Sequence, residues 1–280
     1  MTRPIHAYQI FYNEATRAAI DPAFEPLDNL ANERPDWYEY WPIRRFFQTH
    51  PVLDESALYG FFSPLFFSKT HLTGRQVLDF AGQVTDAEVI TFSPHPCHGA
   101  AFYNVFEQGA NAFPGFLDAA LLFLRELDPQ IRLDQLINDS RNTVYSNYFL
   151  ARPRFWRAWL AIVDRAFALA EAGDTAAGQA LIRPVGYAKS DGDTKPAQMK
   201  IMVLERIPSL LLAWGDFTVR NYPPFAIPLT AQFAGHLAEL KELDRLKIAY
   251  GAGGDRQLLQ QYVQMRDGLL AAVRSRPQAG

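Results

Sequence analysis

Hydrophobic and polar positions change period several times along the chain, and each change marks an element. Residues 5–12, "IHAYQIFY", alternate β-prone side chains and then meet "NEATRAAIDP", which predicts a first strand, a turn and a short helical piece. "DPAFEPLDNLANER" (21–34) is rich in Pro, Asp and Asn and predicts a long ordered loop, a kind of segment that often serves function. "DWYEYWPIRRFFQTH" (36–50) predicts an aromatic-rich helix with Asp36 as N-cap and Pro42 as a kink or restart. "SALYGFFSPLFF" (56–67) predicts a buried strand broken at Ser63-Pro64, and "TGRQVLDFAGQV" (73–84) a helix capped by Thr73.

"AEVITFSP" (87–94) predicts another strand, "HPCHGAAFYNVFEQGANAFPG" a helix, and "FLDAALLFLRELDPQ" (116–130) a strongly amphipathic one. In "VYSNYFLARPRFWRAWL" (144–160) a polar Ser146-Asn147 pair precedes a short buried strand, Pro153 stops it, and a Trp-rich helix follows. Next come a polar loop, "GYAKSDGDTKP" (186–196), and one long helix, "AQMKIMVLERIPSLLLAWG", interrupted awkwardly by Pro208. "FTVRNYP" (217–223) is the last predicted strand. The tail from Ala231 to Arg274 reads as two polar amphipathic helices around "AYGAGGDRQ", whose glycines mark a turn. Short strands alternating with helices predict an α/β fold with a mostly parallel or mixed sheet, and no internal repeat is visible.

Composition supports one large domain. Of 280 residues 49% are apolar and 14% aromatic, including 21 Phe and 12 Tyr, which is ample material for a core. The net charge of −3, with Lys and Arg scattered, argues against nucleic acid as a partner. A single cysteine, Cys97, leaves no intramolecular disulfide and no Cys-rich zinc site, which suits a reducing compartment. The chain offers neither a membrane-spanning apolar run nor a signal-peptide pattern at "MTRPIHAYQIFYNE", so a cytoplasmic protein without a transmembrane segment is expected.

Common catalytic signatures are missing: the dinucleotide-binding glycine motif, the phosphate loop, the nucleophile elbow and the His-Glu-x-x-His helix. "SPHPCHGA" places His95, Cys97 and His98 beyond a strand, where open α/β sheets bind ligands. The histidines are therefore expected to touch a ligand, with metal ligation as the alternative.

Three stretches, "AYQIFYNEATRAAIDPAFEPLDN", "SNYFLARPRFWRAWL" and "MVLERIPSLLLA", together resemble GT-A-like glycosyltransferase domains of bacterial capsule, exopolysaccharide and O-antigen gene clusters. The resemblance spans roughly residues 5 to 225. It implies a Rossmann-like, GT-A type mixed sheet flanked by helices, a nucleotide-sugar and acceptor domain over 1–225, and a C-terminal helical extension over 226–280. The implied activity moves a hexose from a nucleotide-sugar donor, a UDP-sugar foremost, to a surface-polysaccharide or glycolipid acceptor. Tyr8, Gln9 and Tyr12 stand where the donor base would lie, with packing as their plainer role. The strand that in many such enzymes carries an Asp-x-Asp metal motif reads Ser63-Pro64-Leu65 here, which puts a divalent metal in doubt. Lys69, Arg44 and Arg45 are then the nearest charges for a diphosphate, unless they are ordinary surface cations, while Asp139 remains an alternative metal ligand.

The acceptor hydroxyl needs a general base. Glu205 is the first candidate because it interrupts an apolar helix, and Glu107 the second; a structural ion pair is the competing role for Glu205. Asn147 is expected to hydrogen-bond a sugar hydroxyl, and at most one of Tyr148, Phe155, Trp156 and Trp159 to stack on it. The rival functions are a catalytically inactive carbohydrate-binding or scaffold protein, and a metal-dependent hydrolase using His95 and His98.

Overall fold

The structure, a computed structural model, describes residues 3–188 and 194–275. β1 (Ile5–Phe11) leads through α1 (Glu14–Ala18) to β2 (Glu25–Asp28), which pairs with it in parallel. The stretch expected to be all loop thus contributes a four-residue edge strand. α2 (Tyr40–Thr49) begins later than expected. Pro42 falls in its first turn, where no amide donor is needed, and Asp36 sits in a preceding 3-10 turn rather than capping the helix.

β3 (Leu58–Phe62) pairs in parallel with the other side of β1 and stops just before Ser63-Pro64, where the break is expected; Phe66 and Phe67, expected to continue the strand, start a helix instead. α3 (Phe66–Thr70) follows, and α4 (Gly74–Gln83) starts with the expected Thr73 cap, reciprocated by Gln76. Beyond β4 (Val89–Thr91), one predicted helix is two, α5 (Pro96–Ala101) and α6 (Val105–Ala112). Asn104 separates them, its side chain accepting from the amides of Phe106 and Glu107. α7 (Phe116–Arg125) starts where expected but ends short of residue 130, and β5 (Phe149–Ala151) runs into α8 (Pro153–Ala172) across Pro153.

α9 (Ala176–Ile182) precedes an antiparallel hairpin of β6 (Pro184–Ala188) and β7 (Thr194–Gln198). The loop expected over 186–196 is therefore mainly the two strands of this hairpin; its residues 189–193 lie outside the described ones. The single long helix expected next is α10 (Met199–Leu204) and α11 (Ile207–Trp214). Pro208 has no amide to give to Leu204, four residues back, and its ring crowds that carbonyl, so the first helix stops there and Glu205-Arg206 form a junction. β8 (Val219–Asn221), α12 (Leu237–Gly253) and α13 (Arg256–Ser275) complete the chain.

The main sheet is mixed, in the order β2-β1-β3-β5-β4-β8, with β5 antiparallel to both its neighbours. Alternation sends Tyr59, Phe61, Phe149 and Val89 to one face, against α2, α7, α8, α10 and α11, and Leu58, Phe62, Leu150 and Ile90 to the other. The insertion of β5 requires Gly60: a Cβ there would lie 2.5 Å from Leu150 Cδ2 and 2.7 Å from the Phe149 carbonyl oxygen. α12 and α13 pack on α5 through a third apolar cluster that includes Cys97, Leu240, Leu243 and Tyr262. Among the described residues no helix is long and apolar enough to cross a membrane.

Candidate functional site

Open α/β sheets bind ligands beyond the carboxyl ends of their strands; here the chain order reverses at β1, whose two neighbours are β2 and β3, while the candidate cleft lies further along the sheet, beyond β3 and β4. Because β5 is antiparallel, its entry, Tyr145-Ser146-Asn147, lies at the same edge as the exits of β3 and β4. A cleft of about 810 Å³ opens there, large enough for a nucleotide sugar. Lys69 of α3, His95 just before α5 and His98 within it, Tyr145 and Ser146 before β5, and Glu205 at the α10–α11 junction all line it. Five candidates that lie far apart in sequence or beyond different elements, Lys69, His95, His98, Glu205 and the Ser-Asn corner, are thus brought to one place.

The junction holds Glu205 in the cleft. Its neighbour Arg206 is buried and donates to the carbonyls of Val105 and Met202 and to Gln108 Oε1, at 2.6–2.7 Å. Ser209 Oγ accepts from the Val144 amide at 2.8 Å and donates to the Val144 carbonyl, fixing α11 to the strand entry. The Glu205 amide donates to the Ile201 carbonyl at 3.1 Å, but its carboxyl makes no hydrogen bond or ion pair with any described residue. Burial raises the pKa of its carboxyl, Lys69 and Arg206 offset part of the rise, and Glu39 at the start of α2 adds to it.

Lys69 Nζ donates to Ser146 Oγ at 2.9 Å and lies over the Tyr148 ring. Burial works against its ammonium, but Tyr148, Glu205 and Glu39 outweigh that and hold its pKa above the ordinary value. His95 and His98 are both brought down to about 4, chiefly by burial, with Lys69 and the other histidine disfavouring charge on His95 and Arg206 doing so on His98. Both imidazoles are therefore neutral near pH 7, and neither hydrogen-bonds to a described residue. The Tyr145 side chain is 6% exposed, and its hydroxyl has no partner. Buried polar groups are almost always satisfied, so the orphaned Tyr145 hydroxyl, beside two imidazoles and a carboxyl that bond to no described residue, marks a place for a ligand.

Comparison of the chain with known protein families, curated proteins and solved structures finds no match. The chemistry of the cleft must be read from its own residues.

Several expected site residues lie elsewhere or are occupied. Gln9 is buried: its Oε1 accepts from the Asp21 amide at 2.7 Å and its Nε2 points to the Ser63 carbonyl, so its amide ties the loop to β3 instead of reading a base. Tyr8 packs on Phe46 and Phe61. Tyr12, 43% exposed just past β1, keeps a free face. Arg44 bonds to Asp164 at 3.1 Å and Arg45 pairs with Glu33, both away from the cleft. Trp156 is fully buried with its indole N–H on the Tyr59 carbonyl, so it is core. Glu107 accepts from the Tyr103 amide and from Arg266 on α13, on the far side of α6. Asp139 is bound by Arg141, and among the described residues no three His, Cys, Asp or Glu side chains cluster as metal ligands.

Asn147 is 8% exposed, with its Oδ1 buried and unpaired, and the neighbouring Ser146 lines the cleft in its place. Tyr145, Arg206 and Glu39 were not singled out from sequence. The Pro208 break was visible there and, followed through, would have placed both Glu205 and Arg206 at a helix junction.

Proposed function

We propose that the protein is a glycosyltransferase of the GT-A type, moving a hexose from a nucleotide sugar, a UDP-sugar foremost, to a saccharide or glycolipid acceptor. The observation that carries this reading is the Glu205 carboxyl, without a hydrogen-bond partner among the described residues, on a cleft it shares with Lys69 at the carboxyl edge of a mixed α/β sheet. A carboxyl of raised pKa in such a place suits a general base that accepts the acceptor hydroxyl's proton. Lys69 suits a phosphoryl group, since its ammonium keeps two donor hydrogens beyond the one given to Ser146. The cleft's volume accommodates donor and acceptor sugar together.

Thermal unfolding with UDP, GDP and a panel of their sugars, with and without Mn²⁺, tests the reading. Stabilisation of about 2.7 kcal/mol is expected at a ligand concentration one hundredfold above Kd. No shift with any nucleotide, together with a shift for free oligosaccharides, would replace the enzyme by a carbohydrate-binding protein.

A further inference from the structure

The rings of His95, His98 and Tyr145 form a triangle in the wall of the cleft, with centroid separations of 5.5 Å between the histidines and 6.3 Å from each to Tyr145. None of the three side chains hydrogen-bonds to a described residue, and the Tyr145 hydroxyl is buried without a partner. The geometry is fixed from outside. The amides of His98 and Gly99 donate to the His95 carbonyl, the Tyr145 amide donates to Ser93 Oγ, and Phe102 and Phe233 pack edge-on to His98. The charged groups that bear on the triangle are Lys69 from α3, Arg206 from the α10–α11 junction and Glu205 beside it. Two cations against one carboxyl leave a net positive surround, which disfavours protonated imidazoles in the empty cleft and favours an arriving anion.

We propose that this triangle is an anion subsite that takes up a proton as it binds: a phosphoryl group seats against His95 and His98, one imidazole gains a proton from solvent, and the Tyr145 hydroxyl donates to a phosphoryl oxygen. The proposal rests on the nucleotide-sugar reading only for the identity of the anion, the diphosphate of the donor. An anion adjacent to the imidazoles reverses the balance that keeps them neutral, so binding and protonation are linked and each strengthens the other. The consequence is a donor affinity that rises as the pH falls, supplied by the protein's own side chains.

The test uses two probes whose charge stays constant between pH 5 and 8: UDP-glucose, whose diphosphate is esterified at both ends, and inorganic sulfate. Calorimetry in buffers of different ionisation enthalpy counts protons taken up, and affinity is followed against pH. The expected result is uptake of up to one proton and an affinity that falls about threefold to tenfold per pH unit from 5 to 7. In His95→Asn/His98→Gln both the uptake and the slope disappear; Asn suits the left-handed backbone at 95. Should that double variant fail to fold, His98→Gln, at an ordinary helical position, is expected to weaken binding and flatten the slope, since it removes one of the two imidazoles that can take the proton. Binding of UDP-glucose without proton uptake, or affinity and slope unchanged in the variants, overturns the subsite. Sulfate binding with the expected slope while no nucleotide sugar binds keeps the subsite and overturns the glycosyltransferase reading. Binding of neither probe overturns the subsite, and the panel of UDP and GDP sugars then decides the glycosyltransferase reading on its own.

Discussion

Replacing Glu205 by Gln separates a functional carboxylate from a structural one, because the two roles predict opposite changes in stability. Among the described residues the Glu205 carboxyl has no hydrogen-bond partner to lose, and the amide keeps its shape. Its folded pKa is raised, chiefly by burial, so the folded protein binds a proton more readily than the unfolded chain over the interval between the two pKa values. Stability contributed by the protonated form is lost as pH rises through that interval, and the ionised carboxylate is a net burden at pH 7. Glu205→Gln removes the burden, by on the order of 1 kcal/mol for a partly buried group without a partner. For a chain of this size that raises Tm by about 2–4 °C. The gain vanishes near pH 4, where wild type is itself protonated. Turnover moves the other way: loss of a general base costs about 10²- to 10⁴-fold, or about 3–5 kcal/mol of barrier, with donor affinity unchanged. Thermal unfolding at pH 4 and 7, with release of UDP from a panel of UDP-sugars, reads both quantities. A variant destabilised by 1 kcal/mol or more at pH 7, or one that retains turnover, shows that Glu205 is not the base.

Lys69→Met removes the ammonium that offsets the rise in the Glu205 pKa, so the acid limb of the pH–rate profile should move to higher pH; donor affinity should fall by about 1.5–3 kcal/mol, measured by titration calorimetry. Gly60→Ala places a methyl group against Leu150 and the Phe149 carbonyl and should destabilise the sheet by about 1–3 kcal/mol in urea unfolding, with no change in m-value. His71→Gly, at the left-handed C-cap of α3, should stabilise the fold by about 0.5–1 kcal/mol in the same assay, since glycine adopts that backbone without strain. Asp36→Asn weakens the hold on Lys200, which is buried and lies 3.8 Å from the centroid of the Trp37 ring, and should lower stability by about 3 kcal/mol, whereas the joint replacement with Lys200→Met should recover most of it.

The sequence carried the alternation of strands and helices because apolar period is a local property. β1, α4 with its Thr73 cap, the Pro153 corner and the two tail helices all follow from it. What failed were features set by partners distant in sequence. β2 is four mostly exposed residues whose strand character comes from pairing with β1, and nothing in "EPLD" announces that. Asp36 looked like a cap but is claimed by Arg34 and Lys200. At the site, the outlying residue types were legible: a carboxylate in an apolar helix, paired histidines past a strand, a Ser-Asn corner. Which of them stay free was not, because Gln9, Arg44 and Glu107 are consumed by Asp21, Asp164 and Arg266, contacts that exist only after folding.

Backbone strain around the cleft points the same way as the orphaned side chains. His71, His95, Ser146 and Asn147 all take φ between 56° and 60°, and the first three line the cleft. The two other non-glycine residues of positive φ among the described residues, Asn32 and Tyr38, belong to the segment that leads into α2 and Glu39. Each such residue costs roughly 1–2 kcal/mol, less for Asn, and four together approach the net stability of a typical domain. Elsewhere the chain puts glycine at this backbone angle, at positions 115, 173, 235 and 254. A cleft that existed only to be packed could have used glycine too. It holds imidazoles and a hydroxyl there instead, and pins the backbone with Lys69 on Ser146, Ser93 on the Tyr145 amide and Ser209 on Val144. Strain that persists under so many restraints is what a pre-organised binding site requires, because groups already aimed at a ligand lose little freedom when it arrives.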